Sequence, residues 1–228
     1  MGGPCLIVAA DGSTSRGPAA TDNFLVRPFF YHGTRFFSVE AAFQACKHGH
    51  GSARYARIAA LAPLEGESDA EHGCRAWAAG QGGGQLRPDW DVHKVGLMLD
   101  LARARTAQHA DLRAALLATG SARLRGAAST AWALGGAALH WGLFNGLIMM
   151  VVREELRREA AGGAAAVGPL EAEARSALLA YERGEPAGVL AAYSLAGAAE
   201  AAEGAEGGGS GGGGNASAAE YADEQSTQ

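Results

Sequence analysis

The sequence predicts a mainly α-helical fold with a small β element near its N-terminus. Three observations carry this prediction. Residues 24–37 mix aromatic and β-branched side chains around Pro28 and a His32-Gly33 turn. Later segments repeat their apolar residues at intervals of three and four, the period of a helix with one buried face. Most of the aromatic residues fall between 24 and 156, as a single core requires.

The elements follow in order. Phe24 to Phe37 reads as short strands joined by a turn. Ser38 is a good N-cap for a helix from Val39 to about Lys47. A second helix opens near Asp89 and runs through Arg105. A third starts after an Asp111 cap and stops at Gly120, a residue type that commonly ends helices. Leu124 and Trp132 then fall in a loop. A fourth helix covers roughly Asn145 to Glu159. On this reading residues 1–21 are an N-terminal extension and 22–160 one domain. Residues 161–203 are an Ala-rich extension in which Leu170, Leu178, Leu179 and Tyr181 give a weak amphipathic helix. Residues 204–228 are a Gly-rich tail that has too little apolar surface to offset the entropy of ordering.

Composition narrows the function. The chain has 228 residues, with 19 Lys and Arg against 24 Asp and Glu, a net charge of −5. That balance argues against wrapping duplex DNA through a basic patch. A small phosphorylated ligand needs only one or two local cations. Cys5, Cys46 and Cys74 are odd in number and widely spaced, so neither a disulfide framework nor a zinc site is expected. They suit a reducing compartment. The first ten residues lack a basic n-region, which points to the cytoplasm and leaves an organellar address open. Ala137 to Val152 is too short and too interrupted for a membrane span and reads as a buried helix.

Two patterns have the makings of chemistry. In a helix, Glu40, Gln44 and Lys47 share one face, beside Val39, Phe43 and Cys46 on the next. A carboxylate and an amine so placed suit acid/base work, and they equally suit a solvated surface. Trp90, Lys94, Met98 and Leu101 also share a face. Lys94 there either snorkels to solvent or meets an anion, and Trp90 either stacks on a base or fills the core. Asn145 reads as an amide ligand or a helix cap, and Arg153 as a phosphate clamp or a surface residue. Metalloprotease, P-loop, dinucleotide-fold and nucleophile-elbow motifs are all missing. His48 and His50 flank Gly49, a weak metal pair at most.

Taken in order, these pieces resemble the NADAR, or YbiA-like, family. Asp22-Asn23-Phe24 is similar to its Ser-Asn-Phe start. Pro28 to Gly33 and Phe37 to Glu40 are similar to its strand–turn–helix entry, followed by Phe43-Gln44 and Lys47. Trp90, Lys94 and Met98 resemble its Trp-x-x-x-Lys-x-x-x-Met helix. Leu117-Ala-Thr-Gly120 resembles its Leu-x-Thr-Gly turn, and Gly146 to Arg153 its final segment. The resemblance spans about residues 22–156. It implies a single NADAR-like domain and an N-glycosidase. The expected substrates are phosphoribosylamino-pyrimidine intermediates of riboflavin synthesis, or ADP-ribosylated compounds. It makes Glu40 and Lys47 the expected catalytic residues. Asn23, Phe24, Trp90, Lys94, Trp132, Asn145 and Arg153 are the expected substrate-binding residues. No metal or organic cofactor is implied.

The chain departs from the family pattern in its second half, where Ala133 also stands for the Gly after the family's Trp and Leu143 for an expected Asn, Asn145 being displaced by two. The family carries an acidic residue soon after the Thr-Gly turn and an Asp before its Trp-Gly pair. Here stand Gly126 and the run Ala127-Ala-Ser-Thr-Ala-Trp132-Ala. The alternative is therefore a catalytically impaired domain that binds ADP-ribose-like nucleotides.

Overall fold

The computed structural model describes residues 2–194, apart from 10, 82–85, 89, 128 and 164–165. The expected tail, 204–228, and the expected helix start at Asp89 lie outside the described residues. Among the described residues the protein is mainly helical with three small sheets. β1 (Leu6–Val8) pairs antiparallel with β2 (Thr14–Arg16) on one side and with β5 (Arg123–Arg125) on the other. β3 (Phe29–Tyr31) and β4 (Thr34–Phe36) form the hairpin expected near the N-terminus. Its two turn residues, His32 and Gly33, both have positive φ, as a two-residue hairpin loop requires.

β structure is not confined to that region. β5 is joined by a second hairpin, β6 (Ala131–Leu134) and β7 (Ala137–His140), where a loop was expected. Gly135 and Gly136, both at positive φ, close it. A Gly-Gly pair between short apolar runs is itself a hairpin signal, so this element was legible.

The helices are α1 (Val39–Cys46), α2 (Ala53–Ala59), α3 (Asp69–Gly80), α4 (Trp90–Gln108), α5 (Ala110–Leu117), α6 (Trp141–Ala160), α7 (Pro169–Glu182) and α8 (Pro186–Ser194). α1 begins where Ser38 predicts, its hydroxyl accepting from the Ala41 N–H at 3.1 Å. α2 and α3 were not expected. Yet Ser52 caps α2, and Ser68 with Glu71 forms a reciprocal capping box on α3. Asp111 is not the cap of α5: His109 holds that position, and Asp111 sits in the first turn. α6 starts four residues earlier than expected, capped by His140, so Asn145 is inside the helix and caps nothing.

α6 is the central element. Every residue from Trp141 to Glu154 is buried. A helix apolar on all sides needs neighbours on all sides, and α4, α5, α7 and β5 supply them. Gly146 lets β5 approach: a Cβ there would stand 2.2 Å from the Leu124 carbonyl oxygen. α7, within the Ala-rich stretch, packs on α6 and α4.

Two fully buried arginines tie segments together. Arg105 donates to the carbonyls of Asp22 and Ala20 at 2.6 and 2.7 Å. It thereby fixes the chain just before Asn23, and burial lowers its pKa to about 10. Arg153 donates to Thr119 Oγ1, the Ala122 carbonyl and Glu171 on α7. Glu171, 2% exposed, also accepts from Arg157 at 2.9 Å. Removing one member of such a group leaves buried charge uncompensated. Glu171→Ala is expected to lower unfolding stability by about 3–5 kcal/mol in urea titrations. Replacing the pair by Arg153→Met with Glu171→Leu should recover much of that loss.

Candidate active site

Glu40 lies in the first turn of α1 and is 0% exposed. Its backbone N–H donates to the Asn23 carbonyl at 3.0 Å. Its Oε1 accepts from Gln44 Nε2, one turn on, at 2.6 Å. Its Oε2 is buried and has no hydrogen-bond partner. Burial is the main influence on this carboxyl and raises its pKa, against the opposing Gln44 hydrogen bond and the Lys47 charge.

Gln44 is in turn held from α3. Gln81 Nε2 lies 3.4 Å from Gln44 Oε1. A Cβ on Gly80 would sit 1.9 Å from that same oxygen. Only glycine at 80 leaves room for the amide that orients Glu40.

Lys47 is half-buried at the C-terminal end of α1, its ammonium 5.9 Å from the Phe43 ring centroid. Desolvation lowers its pKa. Glu40 opposes that shift, while the charges of Lys94 and Arg54 add to it. Lys94 is 6% exposed. Its ammonium binds Asp91 Oδ1 at 2.8 Å and lies 4.2 Å over the Trp132 ring. The two lysines stand at opposite ends of one aromatic chain. Phe43 meets Trp90 and Trp141 at 4.9 and 5.1 Å, and Trp141 meets Trp132 at 5.1 Å. Such a low-dielectric wall strengthens the field of both cations.

Of the residues expected from sequence, Lys47, Trp90, Lys94 and Trp132 are thus linked through ring contacts by way of Phe43 and Trp141, while Glu40 acts on Lys47 through its charge. Asn23 joins them through the Glu40 backbone, and its Nδ2 donates to Asn145 Oδ1 at 3.2 Å. Asn23 Oδ1 is buried without a partner. Phe24 is a wedge between the N-terminal segment and α3, where a Cβ on Gly2 or Gly73 would overlap its ring. Arg153 is engaged with Thr119, Ala122 and Glu171, and contacts none of the others.

Gly126 explains the departure noted in the sequence. A Cβ there would stand 2.7 Å from the Gly142 carbonyl oxygen and 2.9 Å from Asn145 Cβ. This backbone has no space for an acidic side chain at 126. Three contributors were not read from sequence: Gly80, Gln81 and Arg54. Arg54 donates to the carbonyls of Ala79 and Gln81 at the end of α3. The Ser52 cap could have revealed its helix, but nothing local reveals its target. His48 is buried, and among the described residues no group of three or more His, Cys, Asp or Glu is placed to hold a metal ion.

The candidate site combines a buried carboxylate, Glu40, within the field of Lys47, with an aromatic wall that carries Lys47 and Lys94. No protein-family model and no curated protein matches the chain. Among solved structures, the chain is similar to the NMR structure of the E. coli protein YbiA. The identity is 27% and the TM-score 0.49, over 62% of this chain and 80% of that one. Among the described residues, no helix is long and apolar enough to cross a membrane.

The Glu40 shift has a consequence for stability. Its folded pKa lies above the ordinary value of 4.5, so the folded state holds this proton more tightly than the unfolded one. The associated stability is complete below that ordinary value and is lost as pH rises through the folded value. Glu40→Gln removes the dependence. In urea titrations the variant should gain on wild type as pH rises from acid toward neutral. Parallel stability curves for the two proteins would contradict the shift.

Proposed function

We propose that this protein is a hydrolase that cuts nitrogen–ribose bonds. Its substrates would be phosphoribosylamino-pyrimidine intermediates of riboflavin synthesis or ADP-ribosylated compounds. The observation that carries the reading is Glu40: a carboxylate wholly removed from water, with one oxygen held and the other unpartnered. Burying such a group without full pairing costs stability, and groups of this kind concentrate where chemistry is done.

The chemistry suits the bond. Departure of the nitrogen base from C1′ builds oxocarbenium character on the ribose. Ionised Glu40 would stabilise that charge through Oε2 and orient the attacking water. Burial pushes both Lys47 and Glu40 toward their neutral forms, while each charge favours the ionised form of the other. A neutral Lys47 would also be a competent nucleophile toward a ring-opened sugar. Lys94, with Lys47 and Arg54, supplies positive charge for a phosphate. Trp90 and Trp132 offer aromatic surface for a base.

The test is product release from 5-amino-6-(5-phosphoribosylamino)uracil by the full chain, wild type beside Glu40→Gln. Release by wild type should fall about 10²–10⁴-fold in the variant. Equal rates would remove Glu40 from the mechanism.

A second reading rests on the missing Asp before Trp132, together with Gly126, where no acidic residue fits. With a second carboxylate missing, the domain would hold an ADP-ribose-like nucleotide without cleaving it. Calorimetric binding of ADP-ribose with no product from either substrate class would favour it.

A further inference from the structure

α7 lies beyond the stretch that resembles the NADAR family, yet it reaches the candidate site through one residue. Tyr181 is 2% exposed. Its hydroxyl donates to the Asp91 carbonyl in the first turn of α4. Its ring meets Trp132 edge-on at 6.2 Å and 88°, and Phe144 at 5.1 Å and 73°. Asp91 and Trp132 are the two contacts of the Lys94 ammonium described above. Tyr181 therefore touches both supports of Lys94 without touching Lys94.

We propose that Tyr181 is a positioning residue that sets where the Lys94 ammonium stands, and that α7 is thereby part of the site's specificity machinery. Three further observations support this role. Asp91 is 82% exposed in its side chain, so solvent alone gives it little reason to hold one rotamer. A backbone tie at its own carbonyl restrains the turn that carries it. α7 itself is well anchored, by Glu171 to Arg153 and Arg157 and by Arg175 to Glu154. Phe144, stacked on Trp132 at 5.4 Å and 20°, gives the indole a second wall. The fold thus ties the cation to helices α4, α6 and α7 together. The ligand class that would feel this is anionic, a phosphate on a nucleotide-like molecule.

This inference rests on the reading of Lys94 as a cation that faces substrate, so its test needs an arm independent of turnover. Lys94 ε-methylene protons, beside an ammonium 4.2 Å over the Trp132 ring, should be displaced upfield by its ring current. NMR of the full chain reads that displacement, with Trp132→Leu as the spectrum in which it is abolished. In Tyr181→Phe the displacement should fall toward the Trp132→Leu value. Leu178→Ala, which removes packing from the same helix but leaves the hydroxyl, should keep it. In the kinetic arm, Tyr181→Phe should raise the KM for 5-amino-6-(5-phosphoribosylamino)uracil about fivefold, the loss of one ordinary hydrogen bond, with kcat little changed. A Tyr181→Phe protein with wild-type displacement would overturn the proposal. So would equal losses in Tyr181→Phe and Leu178→Ala, which would mark the residue as packing only. If wild type releases no product, the glycosidase reading fails, and the NMR comparison still decides whether Tyr181 positions Lys94.

Discussion

Glu40 is held out of water at the start of α1, and much of the surrounding structure exists to permit it. The carboxyl could not stay there on helix geometry alone. Gln44 is needed for Oε1, Gly80 for the space Gln44 fills, and Asn23 for the orphan N–H of the first turn. Arg105 in turn secures the chain entering Asn23. Each of these residues comes from a different segment, so the carboxylate's environment is a property of the assembled domain.

The cations divide by chemistry. Arginine serves as structural tie: Arg105 and Arg153 are both fully buried and spend their planar donors on carbonyls, a hydroxyl and a carboxylate. The lysines lie instead beside the proposed site. Lys47 and Lys94 present compact charges against aromatic faces, and Lys47 loses part of its proton affinity to burial. Arg153, expected to meet substrate, is engaged in tying α6 to α7. Its neighbour in space is Glu171, 18 residues further along the chain.

The three cysteines follow the same logic of burial. Cys5 is fully buried, with its thiol pushed up to about 12, and Cys46 is pushed up to about 11, both mainly by desolvation. Such thiols are poor nucleophiles and fill space.

Local signals carried well where the chemistry is local. The Ser38 cap, the His32-Gly33 turn and the shared face of Glu40, Gln44 and Lys47 all depend on residues within a few positions. Sequence alone determined these. The capping box at Ser68 and the Gly135-Gly136 hairpin obey the same local rules, but abundant Ala and Gly blur the periodicity around them. What no local rule contains is the pairing of distant segments: β1 with β5, Gly80 with Gln44, Arg153 with Glu171, Tyr181 with Asp91. Whether a carboxylate is solvated or buried, and whether a lysine snorkels or lies over a tryptophan, depends on which surfaces meet. The tertiary structure decided that, because desolvation and close packing are set by atoms far apart in the chain.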